Sequence, residues 1–451
     1  MHWLRVLYPF GSIVAGFGVF MLLPALIAII MQDQMALIYV FCGLAVIIFG
    51  ALLAFIGRFF RTELQTRHGF ILVCLIWMLL PCFAALPLMF ALPDLSFTKG
   101  YFEAASGLTA SGATVLVGLD TLPPSVNFWR SEMSWLGGMG LIVLATAILP
   151  LLGVGGSAVF QTELPGPIKD NKITPQVKET AKLLWVIYAS LTLLCAIAYF
   201  LAGMTWLDAI IHSFTTLGLG GFSSHDASYG YFDSVAIEIV AIFFMIIAGM
   251  NFVTHFSVWR NKNPRLYFNS IEWRTYIVLL LFAIVTVFGY LHLQETYPNP
   301  WQTLRYSVFN TVSIVTTTGY SNTDYNAWPL FAPLLILIMA NFTSCSGSTG
   351  GGVKLIRALI ALKQAQAERL KLVHPAAYYV NKIGFSLSQK ILVSILFFIL
   401  AYITFAFILM LFLIATGMDF LTAFSAAVAS ISNTGPGLGE VGPASTYAHL
   451  A

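Results

Sequence analysis

Charged side chains are scarce in this chain, making up 9% of its 451 residues, whereas an ordinary soluble domain carries about 25%. This scarcity excludes a soluble globular domain of any size. Paired cysteines are also lacking, because the five cysteines stand singly within apolar runs and form no Cys-x-x-Cys motif. The spacing favours neither a zinc site nor a disulfide framework, and the cysteines are best interpreted as small buried hydrophobic residues.

Hydrophobic residues make up 59% of the chain instead. Apolar runs long enough to cross a bilayer, which takes about 20 residues, recur along its whole length. We predict membrane spans at residues 12–31, 36–57, 69–93, 133–160, 183–207, 239–258, 275–294, 327–346 and 391–418. The first run lacks an Ala-x-Ala cleavage site and is closely followed by a second, so we interpret it as a span and not as a signal peptide.

Lysine and arginine are distributed unevenly between the two sides of these spans. The N-terminus and the loops at 58–68, 161–182, 259–274 and 353–390 hold 19 of the 22 basic residues but only 6 of the 19 acidic ones. Basic loops stay in the cytoplasm, so we predict a cytoplasmic N-terminus. The acidic outer face would concentrate cations.

Four short stretches built around glycine recur along the chain, at 109–112, 218–221, 316–319 and 432–435. Each follows a segment too short to span a bilayer, and these segments are 97–109, 208–218, 301–315 and 419–431. Irregular backbone at membrane depth is tolerated only where protein buries it or where it lines a watery cavity. We therefore expect the four turns to lie together at the centre of the protein.

This order of elements predicts an all-α integral membrane protein with four pseudo-symmetric helix–pore loop–helix repeats around a central pore. Two peripheral helices come first. The predicted divisions are 1–68 for those helices, then 69–160, 161–258, 259–372 and 373–451 for repeats 1 to 4. The last helix of the fourth repeat is absent from the sequence after Gly439, and we interpret the chain as truncated there.

Glycine suits a ring of inward-pointing backbone carbonyls, since such a strand needs dihedral angles that residues with a Cβ adopt poorly. A carbonyl ring can replace the hydration shell of a cation, and the carbonyl ends of the short helices favour a monovalent one. The predicted filter comprises Thr109, Ala110, Ser111, Gly112, Leu219, Gly220, Gly221, Thr316, Thr317, Thr318, Gly319, Ser432, Asn433, Thr434 and Gly435. The alternative for each turn is an ordinary helix C-cap.

The span at 327–346 runs into a stretch, 341–354, that is rich in glycine and hydroxyl side chains. Such residues unwind a helix, and unwound backbone at membrane depth must line a cavity. Just inside the filter it would obstruct the pore. The candidate gate residues are Ser346, Gly347, Gly350, Gly351 and Gly352. The alternative is a plain helix end at the cytoplasmic interface.

These motifs resemble those of the Trk/Ktr/HKT superfamily of potassium transporters, most closely its TrkH family. The resemblance is carried by residues 108–114, 212–223, 316–322, 344–354 and 430–439. In that superfamily a serine at the first filter glycine marks sodium-preferring members, so Gly112 implies potassium selectivity. The resemblance further implies uptake through a channel-like pore gated by the 341–354 loop.

The same resemblance implies K⁺ as the transported ion, no organic cofactor and a multi-pass protein of the bacterial inner (plasma) membrane, in contact with membrane lipid. It also implies a homodimer and a TrkA-type ring of nucleotide-binding regulatory subunits on the cytoplasmic side. A sodium- or proton-coupled symporter of the same fold remains an alternative. A hydrolase using Ser344, Cys345 or Ser346 would need an acid and a base that the sequence does not supply, so we expect no enzyme. Nothing suggests a nucleic-acid partner.

Several charged or polar residues lie within or beside the predicted pore segments. Glu103, Asp208 and Asp419 either draw cations to the outer mouth or cap the N-termini of the short helices. Arg305 should be paired, with Glu295 or Asp324 as the candidates. The histidine at position 212 is interpreted as structural.

Overall fold

The computed structural model describes residues 3–60, 66–143, 173–373 and 389–450. Within these ranges the regular secondary structure is helical, without strands. The helices are α1 (Leu7–Phe20), α2 (Leu23–Met31), α3 (Ala36–Gly57), α4 (Thr66–Ala91), α5 (Phe97–Leu108), α6 (Pro124–Val143), α7 (Ile173–Leu201), α8 (Trp206–Gly218), α9 (Val235–Ala248), α10 (Phe252–Asn261), α11 (Arg265–Asn269), α12 (Ile271–Leu293), α13 (Pro300–Val315), α14 (Phe331–Thr343), α15 (Leu355–Val373), α16 (Gln389–Ala415) and α17 (Phe420–Ser432).

Six stretches of the described residues are long and apolar enough to cross a membrane. They are Leu4–Met31, Ala36–Phe60, Arg67–Ala91, Ala181–Leu201, Ile271–Leu293 and Ile391–Ala415. Each coincides with a predicted span, which confirms the all-helical membrane architecture. Of the predicted span at 133–160, residues 144–160 lie outside the described part of the chain, as do residues 161–172 and 374–388 of the predicted basic loops.

The predicted span at 239–258 is not one straight helix. It divides into α9 and α10, whose axes are bent by 91° at a break of three residues that begins with Gly249 and ends with Asn251. The Asn251 side chain accepts a 2.8 Å hydrogen bond from Val253 N and so caps the second half. An uninterrupted span was therefore the wrong expectation here. The apolar composition of the segment hid a helix stop and a helix start in its middle.

The four short helices begin in the same way. A polar side chain at the N-cap accepts a hydrogen bond from a backbone N–H in the first turn, which satisfies one of the donors that a helix start leaves free. The N-cap residues are Ser96 of α5, Thr205 of α8, Asn299 of α13 and Asp419 of α17. Local sequence thus fixes where all four short helices start.

The peripheral helices α1 and α3 pack at very short range through glycines. A methyl group added at Gly18 would lie 2.8 Å from the backbone N of Ile47, so a larger residue would push the two helices apart. Small residues permit this close approach between apolar helices. Trp129 of α6 then connects this pair to the centre, because it stacks near Phe17 and its Nε1 donates a 3.0 Å hydrogen bond to Ala84 O.

Candidate functional site

The four glycine turns share one backbone conformation. A non-glycine residue with left-handed φ follows each short helix: Ala110 (53°), Leu219 (52°), Thr317 (65°) and Asn433 (55°). The next residue donates its N–H to a carbonyl five positions back, over 2.8 Å from Ser111 to Ser106 and 2.9 Å from Gly220 to Thr215. The third and fourth turns repeat this bond, from Thr318 to Ser313 and from Thr434 to Ala429. This is the Schellman arrangement of a helix C-terminus.

The predicted filter glycines are not the capping residues of these helices. They stand two positions beyond the left-handed residue, and they too have positive φ, at 83° for Gly112, 64° for Gly221, 92° for Gly319 and 90° for Gly435. The simple C-cap alternative therefore leaves them unexplained. A backbone that visits the left-handed region twice within three residues requires glycine at one of them at least.

The four turns lie against one another in a closed circle, which we call the ring. A methyl group on Gly112 would contact the carbonyl oxygen of Gly220, and one on Gly221 would contact that of Thr318. One on Gly319 would contact Thr434 O, and one on Gly435 would lie 2.5 Å from Ser111 O, which returns to the first turn. Each glycine thus faces a backbone carbonyl of the following turn. Only a residue without Cβ fits there.

Hydroxyl side chains of the turns bond to their own helices, behind the ring. Thr316 Oγ1 donates to Val312 O over 2.7 Å and lies 2.7 Å from Thr318 Oγ1. Ser432 repeats both contacts at 2.7 Å, with Val428 O and Thr434 Oγ1. These bonds hold the turns in shape from behind.

In three of the four short helices, the side chain nine residues before the ring glycine bonds to the stretch of chain that follows the ring. Glu103, His212 and Asn310 each precede their ring glycine by nine residues. A Glu103 carboxylate oxygen accepts from Val115 N over 2.9 Å, His212 Nε2 lies 3.0 Å from Ser223 Oγ, and Asn310 Nδ2 donates to Asn322 Oδ1 over 2.6 Å. His212 is therefore structural, as the sequence analysis interpreted it.

Arg130 joins the first two turns, and sequence reasoning missed this role. The side chain is 1% exposed, and its Nε donates to Glu103 Oε1 over 2.8 Å. Its Nη1 donates to Ser223 O over 3.1 Å and its Nη2 to Thr114 Oγ1 over 3.2 Å. The available signal was an arginine within a largely apolar helical stretch whose only other charged residue is Glu132, since a buried guanidinium requires a carboxylate and further acceptors.

Two of the three acidic residues cap helix starts. Asp419 is the N-cap of α17 and accepts from Thr422 N over 3.1 Å. Asp208 forms a reciprocal pair with the N-cap of α8, because it receives a 2.7 Å bond from Thr205 Oγ1 and donates its N–H to that oxygen over 3.1 Å. This geometry favours the capping alternative for both.

The prediction that Arg305 pairs with Glu295 or Asp324 was wrong. Its Nε donates to Glu238 Oε2 over 2.9 Å and its Nη2 to Asp233 Oδ1 over 2.8 Å. Glu238 lies in α9 and Asp233 just before it, and the packing of α9 against α13 brings both acids to Arg305. Asp324 instead accepts from Asn326 N over 3.0 Å within its own turn. Tertiary packing between helices, and not closeness in sequence, decides this pairing.

A cavity of about 280 Å³ opens onto the ring and is lined by Gly112, Gly221, Gly319 and Pro436 among others. His225, at its rim, pairs through Nδ1 with Asp120 and lies 3.4 Å from Asp208 through Nε2. Burial lowers the pKa of His225, but the hydrogen bonds to Asp208 and Asp120 outweigh it and raise the pKa above its usual value. The rim is therefore held by charge-assisted bonds between loops.

The segment between α14 and α15, residues 344–354, lies directly against the ring from the other side. Ser344 Oγ donates to Thr316 O over 3.4 Å, Thr349 Oγ1 donates to Leu217 O over 3.0 Å, and Gly351 N donates to Thr317 Oγ1 over 2.9 Å. A methyl group on Gly351 would contact the carbonyl of Ser432. Most of the segment is buried and bonded to the ring, so a plain helix end at the cytoplasmic interface does not describe it.

Side chains and backbone from distant helices hold this segment. The Glu272 carboxylate accepts from Ser346 N over 2.6 Å and from Ser346 Oγ over 3.2 Å. At the break between α9 and α10, Gly249 O accepts from Cys345 N, and Phe252 N donates to Gly347 O, both over 3.1 Å. The broken helix is thus part of the site, and the Gly249-Met-Asn251 sequence was the signal that could have revealed it.

Among the described residues no group of three or more His, Cys, Asp or Glu side chains is placed to hold a metal ion. The site consists of neutral backbone and hydroxyl oxygens. Neutral oxygens of this kind are ligands that alkali cations accept.

Comparison with known proteins gives a consistent result. A family model described as TrkH, cation transport protein, matches residues 39–450. The Trk system potassium uptake protein TrkH of Vibrio parahaemolyticus is 44% identical over 445 residues, which cover 98% of this chain and 92% of that protein. The protein of the same name from Escherichia coli (strain K12) is 42% identical over 443 residues, covering 98% and 92%.

The crystal structure of the potassium transporter TrkH from Vibrio parahaemolyticus superimposes with a TM-score of 0.91. It is 42% identical and the match covers 98% of this chain and 92% of that one. These relatives are named as transporters and not as enzymes, in agreement with the sequence-based expectation.

Proposed function

This chain belongs to the TrkH family of cation transport proteins, and from that premise we propose that it takes up potassium through a pore whose selectivity filter is the ring. The division into two peripheral helices and four repeats is part of the same proposal. The filter positions are the four glycines and the turn residues that precede them, and the 341–354 loop is the gate.

The observation that carries the proposal is the closed circle of contacts between the four turns. Each ring glycine faces a carbonyl oxygen of its neighbour, so neutral oxygens from four chain segments surround one axis. Such oxygens can replace the water that a potassium ion sheds. The C-termini of the four short helices add partial negative charge near the same axis, which favours a monovalent cation over an anion.

A potential of about 150 mV, negative inside, would supply about 3.5 kcal/mol for each positive charge that enters. Voltage alone could thus drive uptake against a gradient, and no ATP-hydrolysing site is required in this chain. The names of the relatives refer to a Trk system. We extend this to a cytoplasmic nucleotide-binding regulatory ring, a homodimer and an inner-membrane location with the N-terminus inside.

The test is the Gly112→Ser variant in liposomes, measured by uptake of radioactive rubidium and sodium. The serine side chain would contact the carbonyl of Gly220, so it would displace an oxygen of the ring. We expect the preference for rubidium over sodium to fall by about tenfold or more, since a change of about 1.4 kcal/mol in coordination suffices.

The matched control is Gly118→Ser. Gly118 follows in the same loop and also has positive φ, at 71°, but a methyl group there meets nothing closer than Thr121 Oγ1 at 3.4 Å. It should leave the ion preference of the parent unchanged. Equal preference in the parent and in Gly112→Ser would remove the ring from the filter role.

A further inference from the structure

Lys354 places an ammonium group inside the gate. Its φ of 74° lies in the left-handed region, which residues other than glycine rarely adopt. The Nζ donates to Ser348 O over 3.2 Å, to Ser348 Oγ over 3.3 Å and to Gly350 O. The side chain therefore folds back onto the segment that precedes it, and three oxygens of that segment surround its charge.

These three oxygens are two backbone carbonyls and one hydroxyl, which are neutral ligands of the kind that coordinate potassium. A lysine ammonium is a compact cation with three donors and no acceptor, so it occupies such a site as an ion would. No carboxylate of the described residues forms an ion pair with Nζ. The loop oxygens therefore solvate the positive charge directly, while the Glu272 carboxylate attracts it and the Arg357 guanidinium repels it electrostatically.

The Lys354 ammonium group lies next to the inner side of the ring. Gly350, whose carbonyl binds Nζ, precedes Gly351, whose N–H bonds to Thr317 Oγ1 of the third turn. A methyl group on Gly350 would itself lie 3.0 Å from Thr317 Oγ1. An ion that leaves the ring on this side therefore meets oxygens that already hold a cation.

We propose that Lys354 acts as a tethered cation that closes the inner mouth of the ring. Its ammonium holds the oxygens of Ser348 and Gly350 that a departing potassium ion would otherwise use, and its charge repels that ion. Opening requires the side chain to withdraw, which exposes these oxygens to the permeating ion. The inference rests on the proposed function, because it assumes that the ring conducts.

The experiment compares the full chain with Lys354→Met, Lys354→Arg and Lys371→Met in liposomes, by rubidium uptake and by rubidium-over-sodium preference. Removal of a unit charge beside the pathway should raise uptake by Lys354→Met about tenfold or more, with the ion preference unchanged. Lys354→Arg keeps the charge and should stay within about twofold of the parent. Lys371→Met removes an exposed charge from α15 and should match the parent.

A Lys354→Cys variant separates charge from folding within one protein. Reaction with 2-aminoethyl methanethiosulfonate restores an ammonium and should lower uptake again, whereas methyl methanethiosulfonate leaves the site neutral and should not. The parent, treated identically, controls for the native cysteines.

Uptake by Lys354→Met at or below the parent level, with ion preference intact, would overturn the tethered-cation proposal alone. Equal uptake of Lys354→Cys after both reagents would do the same. Failure of the proposed function is a separate result, since the parent itself would then show no preference for rubidium over sodium.

Discussion

The ring and the loop beneath it touch each other, but they are held in place by different means. The ring is specified by backbone: a capped helix start, a Schellman bond at the helix end, and a glycine at which a methyl group meets a carbonyl. The loop at 344–354 is specified by partners far away in sequence, such as Glu272 and the break at Gly249. Local backbone rules suit the proposed filter, whose shape must stay fixed, and exchangeable hydrogen bonds suit the proposed gate, which must move.

The difference has an energetic side. No other residue can replace a ring glycine, because the positive φ disfavours any residue with a Cβ and there is no space for that Cβ. A loop contact is one hydrogen bond among several, worth roughly 0.5–3 kcal/mol depending on its charge. Substitutions in the ring should therefore strongly lower uptake or ion preference, whereas substitutions in the loop should shift the equilibrium between its positions.

The largest effect is expected from Gly221→Ala. Its methyl group would contact Thr318 O of the neighbouring turn, and its φ of 64° disfavours alanine. The overpacking destabilises the ring by about 1–3 kcal/mol, and the backbone strain adds to this. We therefore expect rubidium uptake in liposomes to fall by roughly two orders of magnitude.

Gly203→Ala is the control that separates the two costs. Gly203 has φ of 109° and a methyl group there meets nothing within 4 Å, so only the backbone preference is changed. We expect a lowered melting temperature and near-normal uptake per folded protein. Equal loss of uptake in both variants would mean that backbone strain alone, and not the closed ring, explains why uptake needs glycine in the turns.

Sequence reasoning performed best where structure is specified locally. The short helices were predicted at 97–109 and 419–431 and are found at Phe97–Leu108 and Phe420–Ser432. Their signals, an N-cap residue and a small-residue turn, lie within the segments themselves. The left-handed residues before each glycine were within the predicted filter, although their helix-capping role became visible only in the structure.

The errors arose where a distant contact decides the conformation. The composition of residues 239–258 predicts one apolar helix, but the break at Gly249 to Asn251 is stabilised by hydrogen bonds with Cys345 and Gly347, about a hundred residues further along the chain. The partner of Arg305 was misplaced for the same reason, since Glu238 reaches it through the packing of two helices. Composition and spacing carry no information about such pairs.

An intermediate effect is expected from Glu272→Gln, which weakens the attachment of the loop. The carboxylate accepts two hydrogen bonds from Ser346, and bonds to a charged group contribute about 1.5–3 kcal/mol where neutral ones contribute about 1. We expect faster hydrogen exchange at the amides of residues 345–350 and higher basal rubidium uptake, by roughly three- to tenfold, with an unchanged ion preference.

Glu368→Gln is the matched control, because Glu368 is an exposed carboxylate that pairs with Lys371 on the surface of α15. Surface pairs contribute little, so exchange in the loop should equal that of the parent. Unaltered exchange in Glu272→Gln as well would show that the backbone bonds to Gly249 and Phe252 suffice to hold the loop.

The smallest effect concerns the rim of the cavity, which is held by side chains as the loop at 344–354 is. The pKa of His225 is raised in the folded protein. Its contribution to stability is therefore complete at pH values below its pKa in the unfolded chain, about 6.5. That contribution is lost as the pH rises through the pKa in the folded protein. The hydrogen bond to His225 also helps, against burial, to lower the pKa of Asp120, so that carboxylate stays charged across this window. His225→Gln should therefore destabilise the protein near pH 6 and have little effect near pH 9.

Because Asp120 is 40% exposed, solvent screening limits the difference in unfolding free energy between the parent and His225→Gln to about 1 kcal/mol or less. Thermal unfolding of both proteins at the two pH values measures it, and His449→Gln, at an exposed pair with Glu440, provides the control. The ring contains no group that titrates in this range, so the rubidium-over-sodium preference of the parent should be the same at both pH values. Two results would contradict the distinction between a ring fixed by backbone and a rim fixed by charged side chains. One is a stability difference between the parent and His225→Gln that grows towards pH 9, and the other is an ion preference that changes with pH.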